Sequence, residues 1–114
     1  MSIEIEIEEK NLRPGGVVRG RVKLEPASED EGKRVELSVL WETMGKGDTD
    51  LGLVLFRELP GRGEFPFEAP LPLLPLTYFG ALVQIRWLVR VRRLHALSAD
   101  FVVEETFRME ALPP

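Results

Sequence analysis

The sequence predicts an all-β fold, an antiparallel sandwich of about seven strands formed by a single domain over residues 1–114. Three observations predict it. Segments alternating apolar and polar residues follow one another along the chain, and none shows the 3.6-residue period of a helix. The breaks between them are built from Gly, Pro, Asn and Asp, the ordinary chemistry of turns. Finally, Pro66, Pro70, Pro72 and Pro75 exclude a helix from the segment that feeds the longest alternating run.

The first strand is read at Ile3, Ile5 and Ile7, which alternate with Glu4, Glu6 and Glu8. Asn11 to Gly16 breaks it: Pro14 presets a turn, and Gly15 and Gly16 admit positive φ. Val18, Gly20, Val22 and Leu24 then point one way, and Arg19, Arg21 and Lys23 the other. These two strands make a hairpin with opposite charges on its outer face. Gly20 falls on the inward side, where a missing side chain leaves room for a large neighbour such as Trp41 or Trp87.

Glu25 to Lys33 has loop composition and precedes a third strand, Val35, Leu37, Val39 and Trp41 alternating with Glu36, Ser38 and Glu42. After a break at Met44 to Asp50, the run LGLVLFREL alternates poorly, as a strand buried on both faces does. Gly61 and Gly63 set off a short strand at Glu64 to Glu68. Gly80 supplies a turn conformation that a side chain would disfavour. The long strand runs from Leu82 to about Arg92, with Val83, Ile85, Trp87, Val89 and Val91 inward and Gln84, Arg86, Arg90 and Arg92 outward. A last strand spans Asp100 to about Met109. Seven such strands with turns between them describe an immunoglobulin-like antiparallel β-sandwich.

A chain of 114 residues buries about two thirds of its unfolded surface, enough for one core. There is no cysteine, which excludes disulfides and thiolate metal sites and fits a reducing cytoplasm. Residues 1–10 lack the basic and apolar regions of a leader, and no window reaches the ~18 apolar residues of a membrane span, so a cytoplasmic protein is expected. A net charge of −4 argues against general affinity for nucleic acid or anionic membrane. Arg greatly outnumbers Lys, and Asn11 and Gln84 are the only side-chain amides. That profile suits a thermophile.

Several motifs fall in a recognisable order. PGGVVRGRV at Pro14 to Val22 has a Pro-Gly, spacer, Val, Gly, Val pattern, and VELSVLWET at Val35 to Thr43 follows as a third strand. Phe65, Phe67 and Pro70 form Phe-x-Phe-x-x-Pro, Pro75 to Gly80 a Pro, hydroxyl, aromatic, Gly turn, and Ile85, Arg86 and Trp87 the strand after it. Together they resemble one arrestin-type domain across nearly the whole chain. The resemblance implies an arrestin-like fold and the non-enzymatic adaptor or scaffold role of that family. Eukaryotic arrestins join two such sandwiches and this chain has length for one, so receptor binding does not carry over. Bacterial arrestin-like proteins related to sporulation-control factors are the nearer comparison. The matched residues are structural, so no individual binding residue transfers.

No catalytic constellation emerges. His95 is the only histidine, and Ser28, Ser38 and Ser98 lie in no nucleophile motif, so His95 reads as a solvated turn residue. Asp48 and Asp50 lack the later ligands of a calcium loop, and Gly45, Lys46 and Gly47 lack phosphate-loop spacing. The run Glu4, Glu6, Glu8 and Glu9 is explained by cross-strand pairing with Arg19, Arg21 and Lys23. No cofactor or metal is expected.

Two surfaces stand out. Arg86, Arg90 and Arg92 share a face, with Arg93 next to them, and form a candidate site for an anionic or carbohydrate ligand. No aromatic residue interleaves with them, and Glu36 and Glu42 on the adjacent strand are expected to neutralise them. The other surface is Leu71, Leu73, Leu74 and Leu76 among prolines, read either as a flap closing the core or as an apolar interaction surface. Edge strands offer a further route, strand addition. The expected function is a protein–protein interaction or scaffold module that self-associates as a homo-oligomer or meets a protein partner whose identity the residues do not encode.

Overall fold

A computed structural model describes residues 1–26, 34–45, 47, 49–94 and 100–111. His95, Ser28, Ser98, Lys46 and Asp48 lie outside the described residues. Among the described residues nine strands form: β1 (Ser2–Ile7), β2 (Asn11–Leu12), β3 (Val17–Glu25), β4 (Val35–Gly45), β5 (Leu51–Leu59), β6 (Gly63–Pro70), β7 (Tyr78–Phe79), β8 (Val83–Arg93) and β9 (Phe101–Met109). Seven are the expected strands. The two additions, β2 and β7, are two-residue pieces that no periodicity can register.

The strands make two layers. A three-stranded sheet runs β1-β3-β6, and a larger one runs β2-β9-β8-β4-β5 with β7 also on β8. β1 and β3 pair antiparallel, as expected, with Ile3 opposite Leu24 and Ile7 opposite Gly20, although β2 between them joins the other sheet. β8 lies between β4 and β9 for most of its length, and β7 takes β9's place beside it at Ile85 and Gln84.

Between the layers sit Val18, Val22, Phe67 and Ala69 from the small sheet and Val35, Leu37, Val39, Trp87, Val89, Val91, Phe107 and Met109 from the large one. These are the inward residues of strict alternation, so one buried set sustains both layers. The inward line of β8 fades toward its start: Ile85 is half-buried and Val83 is 39% exposed, beyond the reach of the small sheet.

Gly20 faces inward as expected, but its neighbour is not a tryptophan. A Cβ there would collide with the Glu6 carbonyl and the Phe67 ring, because Phe67 is directly opposite across β3 and β6. Trp41 instead lies over Gly52 of β5, its register partner. Gly80 has no positive φ; what excludes a side chain is its closeness to the Tyr78 ring and the Val83 carbonyl. In the 11–16 break, Gly15 alone takes positive φ, at 76°.

β5 departs from the expectation of burial on both faces. It pairs with β4 alone and is an edge strand, so Leu51, Leu53 and Phe56 remain 61%, 57% and 48% exposed. Its poor alternation has another cause. The register slips between Val39 and Leu40, leaving Val54 as an extra residue on β5. Such a bulge shifts the alternation by one.

Candidate functional site

The Pro-Leu segment divides by side chain. Leu71 is 5% exposed and joins the core, and Leu76 is half-buried against it. Leu73 and Leu74 are each 70% exposed. The flap and the surface are thus two halves of one segment, with Leu71 and Leu76 turned away from any partner.

Hydrogen bonds fix that division. Leu71 N donates to Gly16 O at 2.7 Å and Gly15 N to Pro72 O at 3.1 Å, tying the segment to the first turn. Trp87 Nε1 donates to Pro75 O at 2.8 Å, and the Leu74–Pro75 peptide is cis. Thr77 N donates to Met109 O at 2.9 Å while Thr77 Oγ1 accepts from Met109 N at 2.8 Å. Buried donors are thereby satisfied and the exposed leucines are held on a fixed backbone. Tyr78, Phe79 and Leu82, which follow in sequence, are 55%, 62% and 69% exposed, and the Arg108 guanidinium lies 5.3 Å from the Phe79 ring centre.

On the outer face of the large sheet, Arg86 and Arg90 are enclosed by two carboxylates. Arg86 Nε donates to Glu42 Oε1 at 2.6 Å and its NH2 to Glu104 Oε1 at 3.4 Å. Arg90 Nε donates to Glu104 Oε2 at 2.5 Å and its NH2 to Glu42 Oε2 at 3.2 Å. The result is a closed four-member network across β4, β8 and β9. Glu42 is the partner the sequence predicts; Glu104 is not, because strand order is invisible to periodicity. Glu36 is opposite Arg92, whose guanidinium instead lies 4.0 Å from Asp100.

Burial pushes the Glu42 carboxyl up, but its hydrogen bonds and charge contacts with Arg86 and Arg90 outweigh that and hold it below the usual carboxylate range. Burial likewise lowers Arg90, and Glu104 and Glu42 outweigh it in the other direction. Leu40 and Leu88, opposite each other on this face, are fully buried yet lie outside the interlayer core. Arg86 and Arg90 flank Leu88 along its own strand, where side chains with long apolar stems stand on the same face. An anion arriving here would compete with two carboxylates for each guanidinium.

The outer charges of the small sheet also pair differently from expectation. Glu4 and Glu6 are opposite Lys23 and Arg21 in register, yet Arg19 and Arg21 close on Glu68 and Glu64 of β6 at 3.1 and 3.3 Å, and Lys23 on Glu25 at 3.8 Å. An open groove of about 870 Å³ runs beside Gly20 and Phe67. Its cations are answered locally, Lys10 by Glu105 at 3.2 Å and Arg57 by the Pro66 carbonyl at 3.2 Å. Nothing there selects a ligand by charge. Among the described residues no cluster of metal-binding side chains occurs, and no helix is long and apolar enough to cross a membrane.

Sequence reasoning missed the exposed row Leu51, Leu53 and Phe56. Their uneven spacing was the signal, and it was open to the opposite reading.

No protein-family model and no curated protein sequence matches the chain. Among solved structures it is similar to Spo0M, a sporulation control protein of Bacillus subtilis, with a TM-score of 0.66 and 17% sequence identity, covering 97% of this chain and 49% of that one. The arrestin-like fold read from the sequence motifs is the fold of this chain. The chain spans about half the length of that neighbour.

Proposed function

We propose that this chain is a non-enzymatic protein–protein interaction module of arrestin-like type, a single sandwich over residues 1–114 that serves as a cytoplasmic scaffold or adaptor and associates with itself. The observation that carries the protein-interaction role in this reading is the presentation of Leu73 and Leu74. Two large apolar side chains, each 70% exposed, stand on a backbone pinned at Pro72, Pro75 and Thr77. Apolar groups fixed in advance lose little freedom on binding, which favours a protein partner. The reading of Arg86, Arg90 and Arg92 as an anion or carbohydrate face draws no support from the geometry, since the first two already share Glu42 and Glu104.

The test compares the wild-type chain with a Leu73→Ser/Leu74→Ser variant as bait in extract of the native host. A discrete protein retained by the wild type and lost by the variant is the expected result. Retention of no protein, together with thermal stabilisation by polyphosphate, would overturn the reading in favour of the arginine face.

A further inference from the structure

The strand β5 carries a second surface, distinct from the Pro-Leu segment. We infer that β5 is the site of self-association, pairing antiparallel with β5 of a second copy about a two-fold axis between Val54 and Leu55. This rests on the self-association in the proposed function and names its location.

Four observations carry it. β5 is nine residues long and pairs with β4 alone, so one row of its backbone N–H and C=O groups has no strand partner among the described residues. Such an edge is a template for another strand. β6, an edge of the other sheet, contains Pro66 and Pro70, whereas β5 has no proline. The uncharged run 51–56 shows Leu51, Leu53 and Phe56 on the outer face, beside buried Leu40.

The third observation fixes the register. Because Val54 is an extra residue, Leu53 and Phe56 lie on the same face, opposite Leu40 and Ser38 of β4, although they are three apart. A two-fold between Val54 and Leu55 therefore sets Leu53 of one copy against Phe56 of the other, twice, with both sheets keeping the same face outward. In an unbulged strand that axis would set outward residues against inward ones.

Charge complementarity is the fourth. Asp50 extends the strand on its inner face, its N bound to Thr43 Oγ1 at 2.7 Å. In this register Arg57 of the second copy is opposite Gly52 and diagonal to Asp50, within reach of a long side chain. The two-fold repeats the pair. Two copies thus extend the five-strand path across the joint, with an apolar centre and an acid–base pair at either end.

The test is light scattering at about 200 µM, where an interface with Kd near 10 µM is mostly occupied. The wild type is expected at twice the chain mass. Leu53→Glu/Phe56→Glu, which sets like charges opposite each other twice, should weaken the dimer by about tenfold or more while its circular dichroism stays that of the wild type; Leu73→Ser/Leu74→Ser should leave it unchanged. Asp50→Arg and Arg57→Asp, each alone, should weaken it by about threefold, and mixing the two variants should restore a heterodimer, because each Arg then meets an Asp. A dimer that survives Leu53→Glu/Phe56→Glu, or that fails to be restored on mixing, overturns the β5 assignment and leaves self-association standing. A wild-type monomer at 200 µM overturns both, and the Pro-Leu bait experiment then decides the rest.

Discussion

Gly20 shows what a single residue can and cannot disclose. Its place mid-strand among Val18, Val22 and Leu24 put it inward by alternation alone, and the structure agrees. Its occupant was not legible, because the choice of Phe67 over a tryptophan depends on how β3 registers with β6, a non-local fact. The same limit sent Trp41 to Gly52. A methyl at Gly20 meets both a backbone carbonyl and a packed ring, and the carbonyl belongs to a paired strand that cannot yield cheaply. Gly20→Ala should therefore lower stability by about 2–4 kcal/mol, against about 0.5 kcal/mol or less for the exposed neighbour Arg21→Ala. Urea unfolding midpoints of the two variants measure this. Equal midpoints would remove the packing role assigned to Gly20.

At the scale of elements, the long strands were legible because one face of each meets the core, which writes a period of two into the sequence. Strand order was not. The position of β8 between β4 and β9 is what gathers Glu42, Arg86, Arg90 and Glu104, four residues from three strands. The sequence of β5 misleads for a related reason: an apolar run reads alike whether it is buried twice or exposed at an edge with a bulge. The network predicts a pH dependence. The folded-state pKa of Glu42 is lowered, so its contribution is present above the unfolded carboxylate value and is lost as pH falls through the folded value. With side chains only 19–30% exposed, Glu42→Gln should cost about 1–2 kcal/mol at pH 7. The gap between wild type and variant should close as acid takes the pH below the ordinary carboxylate range. Denaturant unfolding at pH 7, 5, 4 and 3 follows it; a gap that stays constant over that series would show that the charge of Glu42 is not its source.

The whole molecule is a thin slab, 52 × 31 × 17 Å, with a radius of gyration of 15.3 Å where a compact chain of this length has about 13 Å. Two layers leave both outer faces in water, and with no cysteine the single interlayer core must hold them together. The amide-poor, Arg-rich composition raised the expectation of a thermophilic protein, and the structure indicates where such stability would reside. The pairs Arg19–Glu68, Arg21–Glu64 and Arg34–Glu58 have side chains more than half exposed. Pairs of that kind contribute about 0–1 kcal/mol and are screened by salt. Core burial is indifferent to such screening. The unfolding midpoint should therefore lie above about 65 °C in 0.1 M salt and fall by less than about 5 °C in 1 M NaCl. A midpoint inside the mesophile range rejects the thermal expectation. A high midpoint that drops by more than about 10 °C in 1 M NaCl would instead move the source of stability from the interlayer core to the charged outer faces.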